Sequence, residues 1–201
     1  MIETYVFKEH PASEAGAPTL VLLHGTGGDE NQFFSLGRQL LPNARLIAPR
    51  GDVSEGGSLR YFKRTGEGVY DMDDLRLRTE KMAGFLEGLK SDGPLVALGY
   101  SNGANILASV MIARPDLVDA AVLMHPLIPW IPSDVAGLTG RKVLITAGKR
   151  DPICPAPKTQ ALADWFGKQG ASVQIAWHEG GHEITQTELA AAASFVQSAI
   201  G

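Results

Sequence analysis

The run Val96-Ala97-Leu98-Gly99-Tyr100-Ser101-Asn102-Gly103-Ala104-Asn105-Ile106 is apolar up to Gly99, breaks over five residues and resumes as a helical pattern. It reads as a nucleophile elbow. A strand that reverses at once into a helix brings the serine backbone against its neighbours, and glycines at 99 and 103 leave room where side chains would clash. Such a turn strains the Ser101 backbone, lifts its Oγ clear of the sheet and sets the next peptide N–H at a helix N-terminus. The plainer alternative is a strand-to-helix turn in which the serine is merely small. Five-residue patterns arise by chance, so the flanks decide between the two.

Upstream, residues 19–23 are continuously apolar, as in a strand covered on both faces. They run into His24-Gly25-Thr26-Gly27-Gly28-Asp29-Glu30, a glycine-rich loop that opens a helix over 31–41. A phosphate cradle would need the Lys-Ser/Thr end of a P-loop or the spacing of a dinucleotide fingerprint, and neither is present. An oxyanion loop needs only small residues that turn a backbone N–H toward the nucleophile. The Thr26 N–H is the candidate donor, and the Asn102 N–H, next to the nucleophile, is the second. Residues 2–8 alternate as an edge strand, and 45–48 form a short strand ending at Pro49. Residues 50–70 read as a long loop whose basic aromatic knot, Arg60-Tyr61-Phe62-Lys63-Arg64, is either a solvated excursion or a pocket wall.

Downstream, Asp71 caps a helix predicted over 71–91, with Leu75, Thr79, Met82, Leu86 and Leu89 as its buried stripe. An almost wholly apolar helix follows the elbow over 102–114, then a strand over 118–124. His125-Pro126 leads into a proline-studded segment running past Trp130 toward Gly140, long enough for a lip but not for a cap domain. A strand over 141–147, a helix over 156–169, a strand over 173–177 and a helix over 183–200 complete the pattern. The β-α-β-α succession predicts one α/β domain over 1–201, built on a doubly wound, mainly parallel sheet.

Ligands of such sheets gather beyond the carboxyl ends of the strands. Asp151 follows one late strand and His182 another, so both converge on the edge that carries Ser101, in the chain order Ser, Asp, His of an α/β-hydrolase. In that role His182 takes the Ser101 proton and Asp151 fixes the histidine tautomer. Asp151 before Pro152 could instead be a turn residue only, and Glu179 is the reserve acid. Of the other histidines, His10 reads as solvent-facing and His24 as a prop for the oxyanion loop. His125 ends a strand but precedes Asp151 in the chain, and His178 sits beside Trp177.

The chain has 201 residues, a net charge of −4 and a single cysteine, Cys154. No basic stripe suits nucleic acid, no intrachain disulfide is possible, and no cysteine cluster offers a metal site. Cys154 reads as a small buried hydrophobe. The N-terminus lacks a basic n-region and an apolar h-region, and no run reaches membrane-spanning length, so the expectation is a soluble cytoplasmic protein.

With L-L-H-G-T-G-G-D-E, G-Y-S-N-G-A-N, A-G-K-R-D-P-I-C-P and G-G-H-E-I in place, the chain resembles the phospholipase/carboxylesterase family of α/β-hydrolases, nearest its small bacterial carboxylesterases. The resemblance implies an ester hydrolase without metal or cofactor, with Ser101, Asp151 and His182 as triad, Thr26 and Asn102 as oxyanion donors, and a homodimer as the common assembly. Acyl-protein thioesterases usually carry leucine at the position of Thr26 and glutamine at that of Asn102, which weighs against palmitoyl-protein substrates. Dienelactone hydrolases share the fold but use cysteine as nucleophile, and Ser101 argues against that branch. The expected substrate is a small-molecule ester of small to medium acyl chain, in an open pocket walled by Tyr61, Phe62, Leu127 and Ile153. The alternatives are a thioesterase or lysophospholipase with a long acyl groove, and a non-catalytic small-molecule binder.

Overall fold

The structure, a computed structural model, describes residues 4–201. Among these, seven strands form one sheet: β1 (Phe7–His10), β2 (Thr19–Leu23), β3 (Arg45–Pro49), β8 (Leu95–Tyr100), β9 (Ala120–Met124), β10 (Lys142–Gly148) and β11 (Ser172–His178). Their spatial order is β1-β3-β2-β8-β9-β10-β11, with β1 antiparallel to β3 and every other pair parallel.

Why the inner strands read as unbroken apolar runs is visible in their packing. In β2, Leu20 and Leu22 join one core while Val21 and Leu23 join the other, and β8 and β9 divide their side chains the same way. A period of two along a strand covered on both faces makes every position apolar. Helices α1 (Phe34–Leu40) and α5 (Gln186–Ile200) cover one face; α2 (Met72–Glu87), α3 (Asn102–Ala113) and α4 (Ala156–Lys168) cover the other. Residues 102–111 of α3 are all buried, and each fully buried Ile or Leu there contributes about 1.5–3 kcal/mol. Asp71 caps α2 by accepting from the Asp74 N–H at 3.0 Å, and Leu75, Thr79, Met82 and Leu86 form its buried stripe. No helix among the described residues is long and apolar enough to cross a membrane.

The differences from expectation lie at the edges. Strand β1 begins at Phe7 rather than at residue 2, and positions 2–3 lie outside the described residues. Residues 50–70 are not a plain loop: they fold into two small hairpins, β4 (Val53–Glu55) with β5 (Ser58–Arg60), and β6 (Arg64–Gly66) with β7 (Val69–Tyr70). Helix α2 ends at Glu87 instead of Ser91, and α5 starts at Gln186, after a capping box between Thr185 and Glu188.

Candidate active site

The turn from β8 into α3 puts Ser101 at φ 51° and ψ −115°. A non-glycine residue held there costs on the order of 1–3 kcal/mol, which only tightly packed surroundings sustain. The glycines explain the packing. A Cβ on Gly99 would come within 2.5 Å of the Gly103 carbonyl oxygen, and one on Gly103 would overlap the carbonyl oxygens of Leu23 and His24. Helix α3 therefore rests directly on the ends of β2 and β8.

Because β8, β9, β10 and β11 are parallel neighbours, the residues that follow them meet along one edge. Ser101 follows β8 directly, Asp151 lies three residues beyond β10, and His182 lies four beyond β11. His182 Nε2 is 2.9 Å from Ser101 Oγ, and His182 Nδ1 is 2.7 Å from Asp151 Oδ2. The Asp151 side chain is fully buried, and its Oδ1 accepts the N–H groups of Ile153 at 2.8 Å and Cys154 at 2.9 Å. Burial works to raise the Asp151 carboxyl pKa. The Cys154 amide and the two imidazoles at Oδ2 outweigh it and leave the pKa lowered. A serine hydroxyl, an imidazole and an ionised carboxylate in this line can relay a proton off the serine as it attacks a carbonyl. Glu179, the reserve acid, is exposed and paired with Lys149 at 2.6 Å.

Sequence reasoning missed three supports. Tyr100 donates its hydroxyl to the His182 carbonyl at 2.7 Å, so the residue before the serine holds the histidine loop; burial pushes this phenol up to about 12. His125 places Nδ1 2.8 Å from Asp151 Oδ2 and Nε2 2.9 Å from Glu188 Oε1; the second contact is off the hydrogen-bond line, a close approach rather than an aligned bond. Glu188 in turn accepts from the Thr146 hydroxyl at 2.7 Å and the Thr185 N–H at 2.7 Å. Burial opposes its charge, but the partners, His125 foremost, hold its pKa down to about 2. The signal for His125 was its place at a strand end; its position in the chain order concealed it.

Among the described residues, two clusters bring three ligating side chains within 4.8 Å, His125–Asp151–His182 and His125–His178–Glu188. Neither offers a set of free lone pairs. Both imidazoles at Asp151 must donate to it, and His178 Nδ1 accepts from the Gly180 N–H at 3.0 Å, which leaves the proton of its neutral ring on Nε2. The residues fit proton sharing rather than a metal ion.

The loop after β2 is pinned from several sides. Gly25 N–H donates to Gln32 Oε1 at 2.9 Å, and Gly27 N–H to the Leu59 carbonyl at 3.0 Å. His24, buried, donates Nδ1–H to the Gly25 carbonyl at 2.7 Å and accepts the Gly51 N–H on Nε2 at 2.8 Å. Burial foremost lowers its pKa, so it serves as a neutral prop. The Thr26 hydroxyl accepts from Arg60 Nη1 at 2.8 Å, and Thr26 and Asn102 both line the cavity at Ser101. Among the described residues, the backbone N–H groups of Thr26 and Asn102 have no acceptor within the chain. The Asn102 side chain accepts the Tyr61 N–H on Oδ1 at 2.7 Å, tying the elbow to the 50–70 segment.

That cavity corrects the pocket assignment. Leu127 and Ile153 line it, whereas Tyr61 and Phe62 are fully buried beneath it. The Tyr61 hydroxyl donates to the Pro49 carbonyl at 2.8 Å, and the Phe62 ring packs edge-on against Tyr70 at 4.8 Å. The knot folds inward because its aromatic rings have a core to enter. Its arginines stay at the wall instead, where Arg60 and Arg64 both pair with Glu55, at 3.2 and 3.1 Å. The recess is about 30 Å³, widening to about 200 Å³ at the mouth beside His182.

Comparison with known proteins places the chain among hydrolases. The chain is 40% identical over 186 residues to the putative hydrolase MhqD of Bacillus subtilis, covering 90% of this chain and 93% of that protein. A carboxylesterase from Bacillus cereus superposes with a TM-score of 0.92 at 35% identity, covering 97% and 94% of the two chains. A protein of unknown function from Agrobacterium tumefaciens, Atu2452, superposes at 0.93 with 55% identity over 98% and 97%. Residues 72–196 match the model of the dienelactone hydrolase family. Ser101 had argued against the cysteine-using branch of that name. The match covers the elbow, the strands after it and most of α5, so a serine at 101 does not set the chain outside that family. The chain is an α/β-hydrolase and belongs to the dienelactone hydrolase family.

Proposed function

We propose that the protein is a serine hydrolase that cleaves carboxylic esters of short to medium acyl chain through an acyl-enzyme on Ser101. The observation that carries this reading is the unbroken line from Ser101 Oγ to His182 Nε2 at 2.9 Å and from His182 Nδ1 to Asp151 Oδ2 at 2.7 Å. In this mechanism Ser101 Oγ attacks the ester carbonyl while its proton passes to His182 Nε2. Asp151 stabilises the resulting imidazolium. The N–H groups of Thr26 and Asn102 receive the oxyanion. Collapse expels the alcohol with the proton from His182, and water activated by the same imidazole then releases the acid and restores Ser101.

The recess supports the shorter chains: its inner part holds about 30 Å³ and its mouth beside His182 about 200 Å³, with no long apolar channel continuing from either among the described residues. The larger apolar groove of about 400 Å³ between Trp130 and Trp165 shares no lining residue with it. The 35% identity to a carboxylesterase supports the same class. The test is a p-nitrophenyl ester series from acetate to laurate on wild type and Ser101→Ala, with fluorophosphonate labelling of Ser101. The expected result is a wild-type optimum at the short esters and a loss of roughly 10⁴-fold or more in the variant. A wild type that is neither labelled nor active on any ester, or equal activity in the variant, overturns the proposal.

A further inference from the structure

Behind the proposed catalytic line sits a histidine that the reaction above does not use. Sheet order puts it there: β9 lies between β8 and β10, so the residue after Met124 falls between Ser101 and Asp151. His125 is fully buried and, with Ser101, one of two non-glycine residues at positive φ among those described. Its N–H donates to the Thr146 carbonyl at 2.8 Å, and its own carbonyl accepts from Cys154 Sγ at 3.2 Å, so its backbone is fixed from both neighbouring segments.

The ring lies between two carboxylates, Nδ1 at Asp151 Oδ2 and Nε2 at Glu188 Oε1. The other contacts to those carboxylates come from the donor side: the Ile153 and Cys154 amides and His182 at Asp151, the Thr146 hydroxyl, the Thr185 amide and hydroxyl at Glu188, and His178 Nε2 at 3.3 Å from Glu188 Oε2, off the hydrogen-bond line. Both acids are therefore held as acceptors, that is, ionised. A neutral imidazole has one N–H and one lone pair, so either tautomer would press a lone pair against a buried anion. The imidazolium alone sets a protonated nitrogen beside both, aligned on Asp151 and off the hydrogen-bond line at Glu188.

We propose that His125 is a positioning residue kept as a buried imidazolium, which with Glu188 holds Asp151 toward His182 and offsets part of the negative charge that His182 faces. This rests on the serine-hydrolase reading. The groups around the ring are Asp151 beyond β10, Glu188 on α5, His178 at the end of β11, His182 beyond it and Tyr100 on β8, the last three with ring centroids at 5.4, 5.1 and 5.9 Å. Two carboxylates and one cation leave a single net negative charge near His182, as one carboxylate would. With a neutral residue at 125 there would be two. Burial disfavours the cation, but the Glu188 and Asp151 carboxylates at its two nitrogens outweigh it and raise the His125 pKa.

The direct test is NMR of the wild type with ¹⁵N-labelled histidine near pH 8, about 1.5 units above the ordinary imidazole pKa. The expected result is that both ring nitrogens of His125 carry protons; a neutral ring overturns the inference. In Glu188→Gln the His125 ring should titrate at lower pH than in wild type, and an unchanged titration overturns the pairing. In His125→Asn, kcat should fall roughly 10- to 100-fold and the acid limb of kcat/KM should move up by about one pH unit, because uncompensated carboxylates favour protonated His182. Lower kcat with an unmoved limb would mean packing alone and would refute the role. Should His125→Asn fail to fold, the wild-type spectrum and Glu188→Gln still decide. The spectroscopic arms do not depend on hydrolysis, so their failure alongside Ser101-dependent activity sinks this inference and spares the function.

Discussion

Replacing Asp151 by asparagine isolates what its carboxylate does, because the structure assigns every contact at both oxygens. Oδ1 faces the Ile153 and Cys154 amides, and Oδ2 faces His125 Nδ1 and His182 Nδ1. An asparagine has one acceptor oxygen, and the two amides at 2.8 and 2.9 Å claim it. Its NH₂ then points at two imidazole nitrogens. His182 can meet that donor only by giving up the proton on Nδ1 and carrying it on Nε2, where it faces Ser101 as a donor and no longer as a base. The expected fall in kcat is about 10⁴-fold, equal to roughly 5.5 kcal/mol of transition-state stabilisation. Stability should suffer less. His125 loses a charge-assisted bond but can shed its proton, so the cost is about 2–3 kcal/mol, or roughly 4–12 °C in Tm for a chain of this length. The assay is kcat/KM on p-nitrophenyl acetate beside circular dichroism melts, with Ser101→Ala as the floor. A folded Asp151→Asn protein within tenfold of wild type would show that the carboxylate does not set the His182 tautomer, and the mechanism would need another acid.

Four further outcomes are expected. Tyr100→Phe removes only the hydroxyl bond to the His182 carbonyl; kcat should drop about 3- to 10-fold with KM nearly constant in steady-state kinetics, near the ~1 kcal/mol of one such bond. Gly103→Ala drives a methyl into the backbone of β2, and urea unfolding should show a loss of about 3 kcal/mol or no soluble protein. Leu127→Ala opens the recess; the ratio of kcat/KM for hexanoate over acetate esters should rise about 10-fold, the scale of one or two methylenes. Glu188, with a folded pKa of about 2 against an ordinary 4.5, contributes stability that is complete above about pH 4.5 and is lost as pH falls toward 2. Unfolding free energies from urea titrations should decline across that window by roughly 3 kcal/mol, and Glu188→Gln should flatten the decline.

The sheet was legible because each inner strand is apolar at consecutive positions and each helix carries stripes or caps; β8 and α3 could be placed to within a residue or two. Ser101, Asp151 and His182 were legible for the same reason, since parallel strands make the order of their carboxyl ends a spatial statement. What stayed hidden depends on contacts between segments distant in the chain. Nothing local tells that Tyr61 and Phe62 turn inward, because the space they fill lies between Pro49, His24 and Tyr70. Likewise His125 was weighed by its rank along the chain, whereas its neighbours are set by β9 lying between β8 and β10.

One amide on α3 shows where variation can occur. Asn105, one turn beyond Ser101, accepts the Leu127 N–H at 2.6 Å and donates to the Tyr70 hydroxyl at 2.8 Å, which donates to the Leu127 carbonyl at 2.7 Å. The side of the recess formed by residue 127 is thereby moored to the same rigid rod that carries the serine. Residues 131 to 140 hold no regular element, and while Leu138 is buried in the core, positions 133–137 are largely exposed, which makes that short span the place to graft a lid onto this scaffold.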